Sequence, residues 1–316
     1  MDVPDPVRRA AETLRAGGLV AFPTETVYGL GVDAENAEAV RRMYSVKNRP
    51  PAHPVIVHLC DQQDLGYWAP VVPGFATALM QDYWPGPMTL ILPRSERAKD
   101  FITGGQENVG LRVPQHPLAL ALLRHFRHLG GNGVAAPSAN RYRAVSPTNA
   151  QAVRVELHQY LAPTDVILDG GNSDVGVEST IIDCTRGSPI ILRPGAITAE
   201  MIEETTRMRV TTTPDTDPRV PGSHQHHYSP KAQVLIGGVS MPGEGLIAGD
   251  DVHTPPGVIR LSAPETAKEY ARTLYWALRE ADRQGLMVVR VVPPSGGGLA
   301  IAIRDRILRS AAQSLR

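Results

Sequence analysis

A cluster of polar side chains follows the first apolar run of the sequence. Residues 19–22, LVAF, predict a short buried strand, and Pro23-Thr24-Glu25-Thr26 comes directly after them. Binding residues are often found on such loops, because the strand behind them provides a rigid support. The alternative is an ordinary turn closed by local hydroxyl hydrogen bonds. The residues themselves leave both interpretations open.

Two further clusters could bind an anion. Lys47 and Arg49 stand at the end of a predicted helix, where cations complement the helix dipole and could equally hold phosphate. Ser138 and Asn140 are two positions apart, so in an extended chain they would face the same side. For both clusters, a purely structural role and a ligand-binding role explain the residues equally well.

Single polar residues beside apolar runs form a weaker signal. Arg112 alternates with apolar neighbours in a predicted strand, and an inward-facing arginine needs a carboxylate or phosphate partner. Arg193 follows another apolar strand, and Ser146 precedes a helix for which Thr148 is the predicted N-cap. Considered singly, the two arginines are more typical of a protein surface.

The histidines give little support for a metal site. His224, His226 and His227 crowd into four positions without a nearby carboxylate or cysteine, which is a poor zinc-binding pattern. His58 lies within a predicted strand and is more typical of a core histidine than of a ligand. The usual P-loop, dinucleotide, nucleophile-elbow and zinc-protease signatures are also missing from the sequence. Any ATP must therefore be bound by other means.

Composition favours an ordinary globular protein. The 316 residues carry a formal net charge of +0, without the basic surplus that is typical of nucleic-acid binding. The two cysteines, Cys60 and Cys184, are interpreted as buried free thiols. No apolar run reaches the roughly 18 residues of a membrane span. A soluble cytoplasmic protein without membrane contact is expected.

Strands and helices are predicted to alternate irregularly, which favours an α/β (α+β-like) fold with a mixed sheet. A helix is predicted to begin at Asp5 as N-cap and to end before Gly17-Gly18. The remaining predicted strands are 55–59, 88–92, 109–113, 134–136, 166–168, 180–183, 190–192, 233–236 and 286–292, and the helices are 36–47, 61–69, 73–83, 117–129, 264–284 and 298–313. This pattern predicts a catalytic domain over 1–207, a linker over 208–230 and a small C-terminal α/β domain over 231–316.

Taken together, the motifs resemble one family. F-P-T-E-T-V-Y-G-L-G, K-N-R-P, H-P-V-I-V-H-L, W-P-G-P-M-T-L-I-L, L-R-V-P-Q-H-P, A-A-P-S-A-N, S-P-T, G-V-E-S-T-I-I-D and L-R-P-G-A-I occur in this order. The chain resembles the threonylcarbamoyl-AMP synthases of the YrdC-like superfamily, in their long, two-domain form. The resemblance implies a twisted mixed sheet with a concave, positively charged cavity, a Rossmann-like C-terminal domain, and a linker that packs over the cavity as a lid.

The resemblance also implies roles for particular residues. A catalytic constellation would comprise Lys47, Arg49, Ser138 and Asn140. L-Threonine would be bound by Thr26, His58, Arg112, Ala136 and Ser179. ATP would be bound by Arg49, His53, Asn108, Ser138, Ser146, Arg193 and Tyr228. No metal ligand is expected among the side chains, and Mg²⁺ would arrive bound to ATP.

The implied reaction joins L-threonine, bicarbonate and ATP into threonylcarbamoyl-AMP and pyrophosphate, the first step of a tRNA modification. The product would pass to a separate tRNA-modifying transferase, and weak RNA binding is a secondary expectation. The sequence departs from the family at Arg141-Tyr142-Arg143 and in the linker before Tyr228. The rival interpretations are a carbamoyltransferase using carbamoyl phosphate and an RNA-binding or translation-regulating module.

Overall fold

A computed structural model describes residues 5–212, 219–221 and 228–312. Within these residues, ten strands form one sheet in the order β10-β9-β8-β4-β5-β3-β6-β2-β1-β7. The strands are β1 (Val20–Phe22), β2 (Gly29–Asp33), β3 (Ile56–His58), β4 (Met88–Pro93), β5 (Asn108–Arg112), β6 (Val134–Ala135), β7 (Val166–Ile167), β8 (Thr180–Asp183), β9 (Ile190–Arg193) and β10 (Thr211–Thr212). The sheet contains parallel pairs such as β3–β5 and antiparallel pairs such as β4–β5, so the predicted mixed sheet is confirmed.

Eight helices accompany this sheet in the described part of the chain. They are α1 (Pro6–Arg15), α2 (Ala37–Lys47), α3 (Leu65–Trp68), α4 (Gly74–Tyr83), α5 (Asp100–Thr103), α6 (Pro117–His128), α7 (Ala150–Leu157) and α8 (Ala199–Thr206). The α1 helix forms as predicted, since the Asp5 carboxylate accepts the Val7 N–H at 3.0 Å and the apolar face is buried. None of the described helices is both long and apolar enough to cross a membrane.

The second domain is a smaller parallel sheet covered by two helices. Its strands β11 (Gln233–Ile236), β12 (Gly245–Ile247), β13 (Ile259–Ser262) and β14 (Val288–Val291) lie in the order β11-β14-β12-β13, and its helices are α9 (Ala267–Arg283) and α10 (Leu299–Ala311). An all-parallel sheet needs helical crossovers, and α9 and α10 bury the apolar faces that such packing requires. The predicted α/β character of this domain is confirmed.

The two domains share one apolar cluster. Val27, Val145 and Val177 of the first domain pack with residues of α9, including Leu274 and Tyr275. At the contact, Gly176 adopts φ +82°, and a Cβ there would lie 2.4 Å from the carbonyl oxygen of Ala271. The close approach therefore requires glycine, and it brings α9 directly against loops of the first domain.

Some elements differ from the sequence-based expectation. The strand β2 is absent from the predicted elements, because Gly29 and Gly31 weaken the strand signal there. Gly31 is needed there, since a Cβ would lie within 2.8 Å of side-chain atoms of Val134 and Phe22. The predicted N-cap Thr148 is wrong, because the adjacent Asn149 side chain accepts the Ala152 N–H instead.

The remaining differences lie further along the chain. The helix α8 and the strands β12 and β13 were not predicted, and they are short elements without strong periodicity. Thr211–Thr212, inside the predicted linker, forms β10 at the sheet edge, whereas 213–218 and 222–227 lie outside the described residues. The three linker histidines fall in that second gap. The proposed domain boundaries therefore stay a prediction.

Candidate functional site

Loops and strand ends of the large sheet line one cavity. Tyr228, from the segment between the two domains, also lines it. Most of the sequence-predicted binding residues meet here, namely Thr26, Arg49, His58, Arg112, Ala136, Ser138, Ser179, Arg193 and Tyr228. The structure thus brings together residues that are up to about two hundred positions apart in the chain.

Sheet register explains why two of these residues are neighbours. His58 and Arg112 end the parallel strands β3 and β5, and their Cα atoms are register partners. Ala136 follows β6, which pairs with β3 from the other side. Adjacent strands place residues of the same register side by side on one face of the sheet. This face forms the floor of the cavity.

The turn after β1 supplies hydroxyls to the cavity wall. The Thr24 and Thr26 hydroxyls share a hydrogen bond of 2.8 Å, and Thr24 Oγ1 accepts the N–H groups of Thr26 and Val27. Thr26 Oγ1 in turn accepts Arg112 Nη1 at 2.9 Å. The segment is thus a turn closed by hydroxyls, as one interpretation predicts, and it also lines the cavity, while a binding role stays a prediction.

Arg112 has the carboxylate partner that its inward position required. Its Nη2 lies 2.6 Å from Glu25 Oε1, and both side chains are buried. Glu25 Oε2 accepts the Gln115 N–H at 3.0 Å, and Arg112 Nε donates to the Gly86 carbonyl at 3.2 Å. These bonds fix the orientation of the guanidinium while leaving it on the cavity wall.

His58 is a neutral imidazole in this setting. Burial and the nearby Arg112 charge lower its pKa to about 3. Its ring meets Phe22 edge to face at 5.9 Å. Among the described residues, its buried Nδ1 has no hydrogen-bond partner. The side chain therefore offers a neutral polar atom to the cavity, in contrast to the core histidine that its sequence position favoured.

Positive charge dominates the cavity lining. Besides Arg112, the guanidinium groups of Arg49 and Arg193 reach it, and burial lowers the pKa of both. Arg193 Nη2 donates to the carbonyl and hydroxyl oxygens of Ser179 at 2.9 and 3.1 Å. Arg49 Nη2 donates to the Pro54 carbonyl at 2.8 Å, while its buried Nε lacks a partner in the part of the chain that the structure describes. Such a lining suits an anionic ligand.

Lys47 and Asn140 do not line the cavity. The buried Lys47 ammonium donates to the backbone carbonyls of Ser138 and Asn140 from behind the loop. Burial and the charge of Arg49 hold its pKa well below the usual range. The chain bends after Ser138, so that Asn140 Nδ2 donates to the carbonyls of Arg141 and Ala144, each at 2.8 Å. Ser138 and Asn140 therefore do not face the same side.

Three other predicted nucleotide contacts also lie off the lining. His53 packs edge to face against Tyr142 at 5.4 Å on the outer side, and Asn108 begins β5 opposite Pro93. Ser146 is buried behind the wall and donates to Glu178 Oε1 at 2.6 Å. None of these three side chains is among the described residues that line the cavity.

Sequence reasoning missed Glu178, which is the one carboxylate among the described lining residues. The available signal was its place next to Ser179 in G-V-E-S-T-I-I-D. Its oxygens are fully engaged, because Ser146 donates to Oε1 and both Tyr275 and Arg306 donate to Oε2. Within the described ranges, no group of three or more acidic, cysteine or histidine side chains is arranged to hold a metal.

Comparison with known proteins places this cavity in context. A family model described as "Telomere recombination" matches residues 12–195, and one described as "Threonylcarbamoyl-AMP synthase, C-terminal domain" matches residues 197–312. The threonylcarbamoyl-AMP synthase of Pyrococcus abyssi is 37% identical over 96% of this chain and 93% of its own length. That of Bacillus subtilis is 36% identical over 96% and 92%.

A solved structure agrees with these sequence relatives. It is the crystal structure of P. abyssi Sua5 complexed with L-threonine, which is 35% identical to this chain. The match covers 97% of this chain and 94% of that one, with a TM-score of 0.87. The similarity therefore extends over both domains.

Proposed function

This chain belongs to the threonylcarbamoyl-AMP synthase family, and we propose from that premise that its cavity joins L-threonine, bicarbonate and ATP into threonylcarbamoyl-AMP and pyrophosphate. The observation that carries the proposal is the meeting of three guanidinium groups, a neutral imidazole and several hydroxyls around one cavity. Arg49 and Arg193 supply charge for a nucleotide. Arg112, His58 and Thr26 form a second polar group for an amino acid.

The reaction uses no covalent enzyme intermediate. The threonine amine takes up bicarbonate, with loss of water, to give a carbamate. One carbamate oxygen then attacks the α-phosphorus of ATP, the bond to the bridging oxygen breaks, and pyrophosphate leaves. Such a transfer is accelerated mainly by positioning and by neutralising charge. The arginine-rich lining fits that requirement.

Threonine is assigned to the side of the cavity floored by β3 and β5. Arg112 pairs with the threonine carboxylate, because its guanidinium is already oriented by Glu25 and Thr26. Thr26 or Ser179 receives the threonine hydroxyl or ammonium, and Ala136 bounds the space. A site that hydrogen-bonds a substrate hydroxyl discriminates strongly against analogues lacking it. Selection of threonine over similar apolar amino acids follows.

ATP is assigned to the side formed by Arg49, Ser138, Arg193 and Tyr228. Mg²⁺ enters with the triphosphate, because the lining carboxylate Glu178 already accepts three hydrogen bonds and keeps no free oxygen for a metal. Contacts of His53, Asn108 and Ser146 with the nucleotide rest on the family resemblance. Tyr228, packed at the cavity, acts as the part of the lid that the structure describes.

Lys47 and Asn140 have a different role in this proposal. Both hold the loop that presents Ser138, Lys47 through its bonds to two loop carbonyls and Asn140 through bonds to Arg141 and Ala144. They shape this loop, which carries Ala136 on the threonine side as well as Ser138 on the nucleotide side, without lining the cavity themselves. Their contribution is therefore to positioning.

The wider setting is also proposed. The product passes to a separate transferase that modifies tRNA, and any RNA binding by this chain is weak, given a formal net charge of +0. The cytoplasm is the proposed location, supported by two cysteines that are both free thiols, Cys184 buried and Cys60 half-buried.

The experiment that separates this function from its nearest rival is a substrate exchange. Purified protein receives L-threonine with either bicarbonate plus ATP or carbamoyl phosphate plus AMP. Adenylate formation from the first mixture alone is expected. Formation of a carbamoylated product and inorganic phosphate from carbamoyl phosphate, at a comparable rate, would show a carbamoyltransferase instead. Salt-sensitive tRNA binding without adenylate in either mixture would show an RNA-binding module.

A further inference from the structure

A buried carboxylate on the cavity wall is held by the second domain. Glu178 lines the cavity of the first domain and is 6% exposed. Arg306 Nε, on α10, donates to Glu178 Oε2 at 2.8 Å, and the hydroxyl of Tyr275, on α9, donates to the same oxygen at 2.9 Å. Arg306 is fully buried and does not itself line the cavity.

Arg306 also contacts the chain just after β9, the strand that ends at Arg193 on the nucleotide side of the cavity. Its Nη2 donates at 2.9 Å to the carbonyl of Pro194, which follows Arg193. One turn further along α10, Ser310 Oγ donates to the Tyr228 carbonyl at 2.9 Å. The guanidinium carbon of Arg306 also lies 5.3 Å from the centre of the Tyr228 ring. One face of α10 thus contacts the segments carrying Glu178, Arg193 and Tyr228.

A carboxylate is an unfavourable neighbour for a triphosphate unless its charge is balanced. Arg306 supplies that balance from behind the wall, without occupying the space of the ligand. Burial alone would raise the pKa of Glu178, but Arg306, Arg193 and the Ser146 hydrogen bond outweigh it and lower the pKa to about 2. The carboxylate is therefore ionised, fully hydrogen-bonded and neutralised by a cation of the other domain.

We propose that Arg306 is a positioning residue for ATP, through which the second domain neutralises Glu178 and completes the nucleotide side of the cavity. The inference rests on the proposed synthase function and adds to it a requirement for α10. Without Arg306, the wall would carry a buried negative charge beside the phosphates. ATP binding would weaken, while threonine binding, which relies on the Arg112 guanidinium on β5, would change less.

The pH dependence distinguishes this role from simple domain packing. The titratable and charged groups around Glu178 are Arg193, Arg306, Tyr228 and Tyr275, and Asp305 pairs with Arg306 and with Arg309. Burial raises the pKa of both tyrosines above the working range. In an Arg306→Met variant, Glu178 keeps the burial that raises its pKa and loses its main cation. It should then be protonated at low pH and ionised at high pH, so that ATP binding weakens as pH rises.

The test measures KM for MgATP and for threonine in threonine-dependent pyrophosphate release at pH 6.0 and 8.5. Relative to wild type, Arg306→Met should raise the ATP KM about tenfold at pH 8.5 and less than about threefold at pH 6.0. Expressing each value relative to wild type cancels the titration of the ATP phosphates themselves. The threonine KM should stay within about twofold of wild type.

Two further variants separate charge from packing. The double variant Glu178→Gln/Arg306→Met removes both charges and should return the ATP KM to within about threefold of wild type. Arg304→Met is the matched control, because Arg304 lies on α10 and its hydrogen bonds to described residues go to the carbonyls of Pro294 and Gly296 in its own domain. It should leave both KM values unchanged.

Several results would overturn the inference: an Arg306→Met effect equal at both pH values, an equal effect on threonine, or no recovery in the double variant. If Arg306→Met yields no folded protein, Tyr275→Phe decides, since it removes one hydrogen bond to Glu178. It should raise the ATP KM severalfold, and an unchanged value would refute the coupling. If wild type releases no threonine-dependent pyrophosphate, the proposed function fails, which is a separate outcome.

Discussion

The guanidinium of Arg112, which lines the cavity, and the carboxylate of Glu25 form an ion pair of 2.6 Å, with each side chain only 5% exposed. The pair is 87 positions apart in the chain and joins β5 to the turn after β1. It fixes the direction of the cation that we assign to the threonine carboxylate. Binding and stability are therefore linked at this position.

Removing Arg112 should impair threonine binding selectively. Arg112→Ala alone would leave Glu25 buried without its cation, at a cost of about 3–5 kcal/mol in folding stability. The informative variant is therefore Arg112→Ala/Glu25→Gln, which removes both charges. We expect its KM for threonine to rise about 30-fold or more, as for a lost charge-assisted pair, with a small change for ATP.

Steady-state pyrophosphate release with either substrate varied measures the two KM values, and Glu25→Gln alone serves as the comparison. Because Glu25→Gln retains the guanidinium, it should affect threonine less than the double variant does. Equal increases for threonine and ATP in the double variant would contradict the assignment of Arg112.

His58 should make the first domain sensitive to acid. Its folded pKa of about 3 lies below the unfolded value near 6.5, so its contribution is complete above pH 6.5 and is lost as pH falls toward 3. Between pH 7 and pH 5, wild type should lose about 2 kcal/mol more stability than His58→Gln. Urea unfolding at both pH values, followed by the fluorescence of buried Trp68 and Trp84 in a Trp276→Phe background, tests this.

If His58→Gln loses as much stability as wild type over the same interval, His58 does not remain neutral in the folded protein. The same neutrality predicts that no step of the pH–rate profile between pH 5 and pH 8 is due to this imidazole. A step that disappears in His58→Gln would argue against the assignment.

Replacing Lys47 should lower kcat/KM for both threonine and ATP, rather than for ATP alone. Its ammonium bonds to loop carbonyls, so Lys47→Met leaves two buried acceptors unpaired, at about 1–3 kcal/mol each. We expect kcat/KM to fall by similar factors for threonine and ATP, together with a lower thermal midpoint. The matched control is Lys99→Met, which removes an exposed lysine and should change neither.

A direct phosphate contact by Lys47 would give a different pattern. In that case the ATP KM would rise strongly at an unchanged thermal midpoint, and the positioning role would be wrong.

Mg²⁺ should bind to the nucleotide, and it should not bind to the protein when the nucleotide is absent. Because the lining carboxylate is fully hydrogen-bonded, protein dialysed against chelator should retain its fold and bind no Mg²⁺ when ATP is absent. Activity should be lost on chelation and should return as the concentration of MgATP rises. Isothermal titration with Mg²⁺ alone gives the test, and stoichiometric binding without nucleotide would contradict it.

The sequence predicted more of the fold than of the site. Apolar periodicity located the main helices and most strands, because alternation and capping are local properties. It missed β2, where glycines serve close packing against Phe22 and Val134, and the short strands of the second domain. For Arg112 the sequence predicted a carboxylate or phosphate partner, and only the folded chain identifies that partner as Glu25.

Some site residues could be predicted from the motifs, whereas the position of others depends on contacts between distant parts of the chain. Motif resemblance placed His58, Ser138 and Arg193 on one cavity, and the structure brings them together. It also grouped Lys47 with residues that contact ligand. In the structure, the Lys47 ammonium lies behind the loop and donates to two of its carbonyls, which are 91 and 93 positions later in the chain. Glu178 escaped prediction because its partners Tyr275 and Arg306 follow 97 and 128 positions later, in another domain.

The most direct measurement is a threonine-dependent adenylate assay with wild-type protein. Radiolabelled bicarbonate, MgATP and L-threonine are incubated with the protein, and the labelled nucleotide and pyrophosphate are separated and quantified. The account predicts that label enters a threonylcarbamoyl-AMP product in equal amount to the pyrophosphate released, and that both require threonine. Pyrophosphate release at the same rate without threonine, or without incorporation of label, would contradict it.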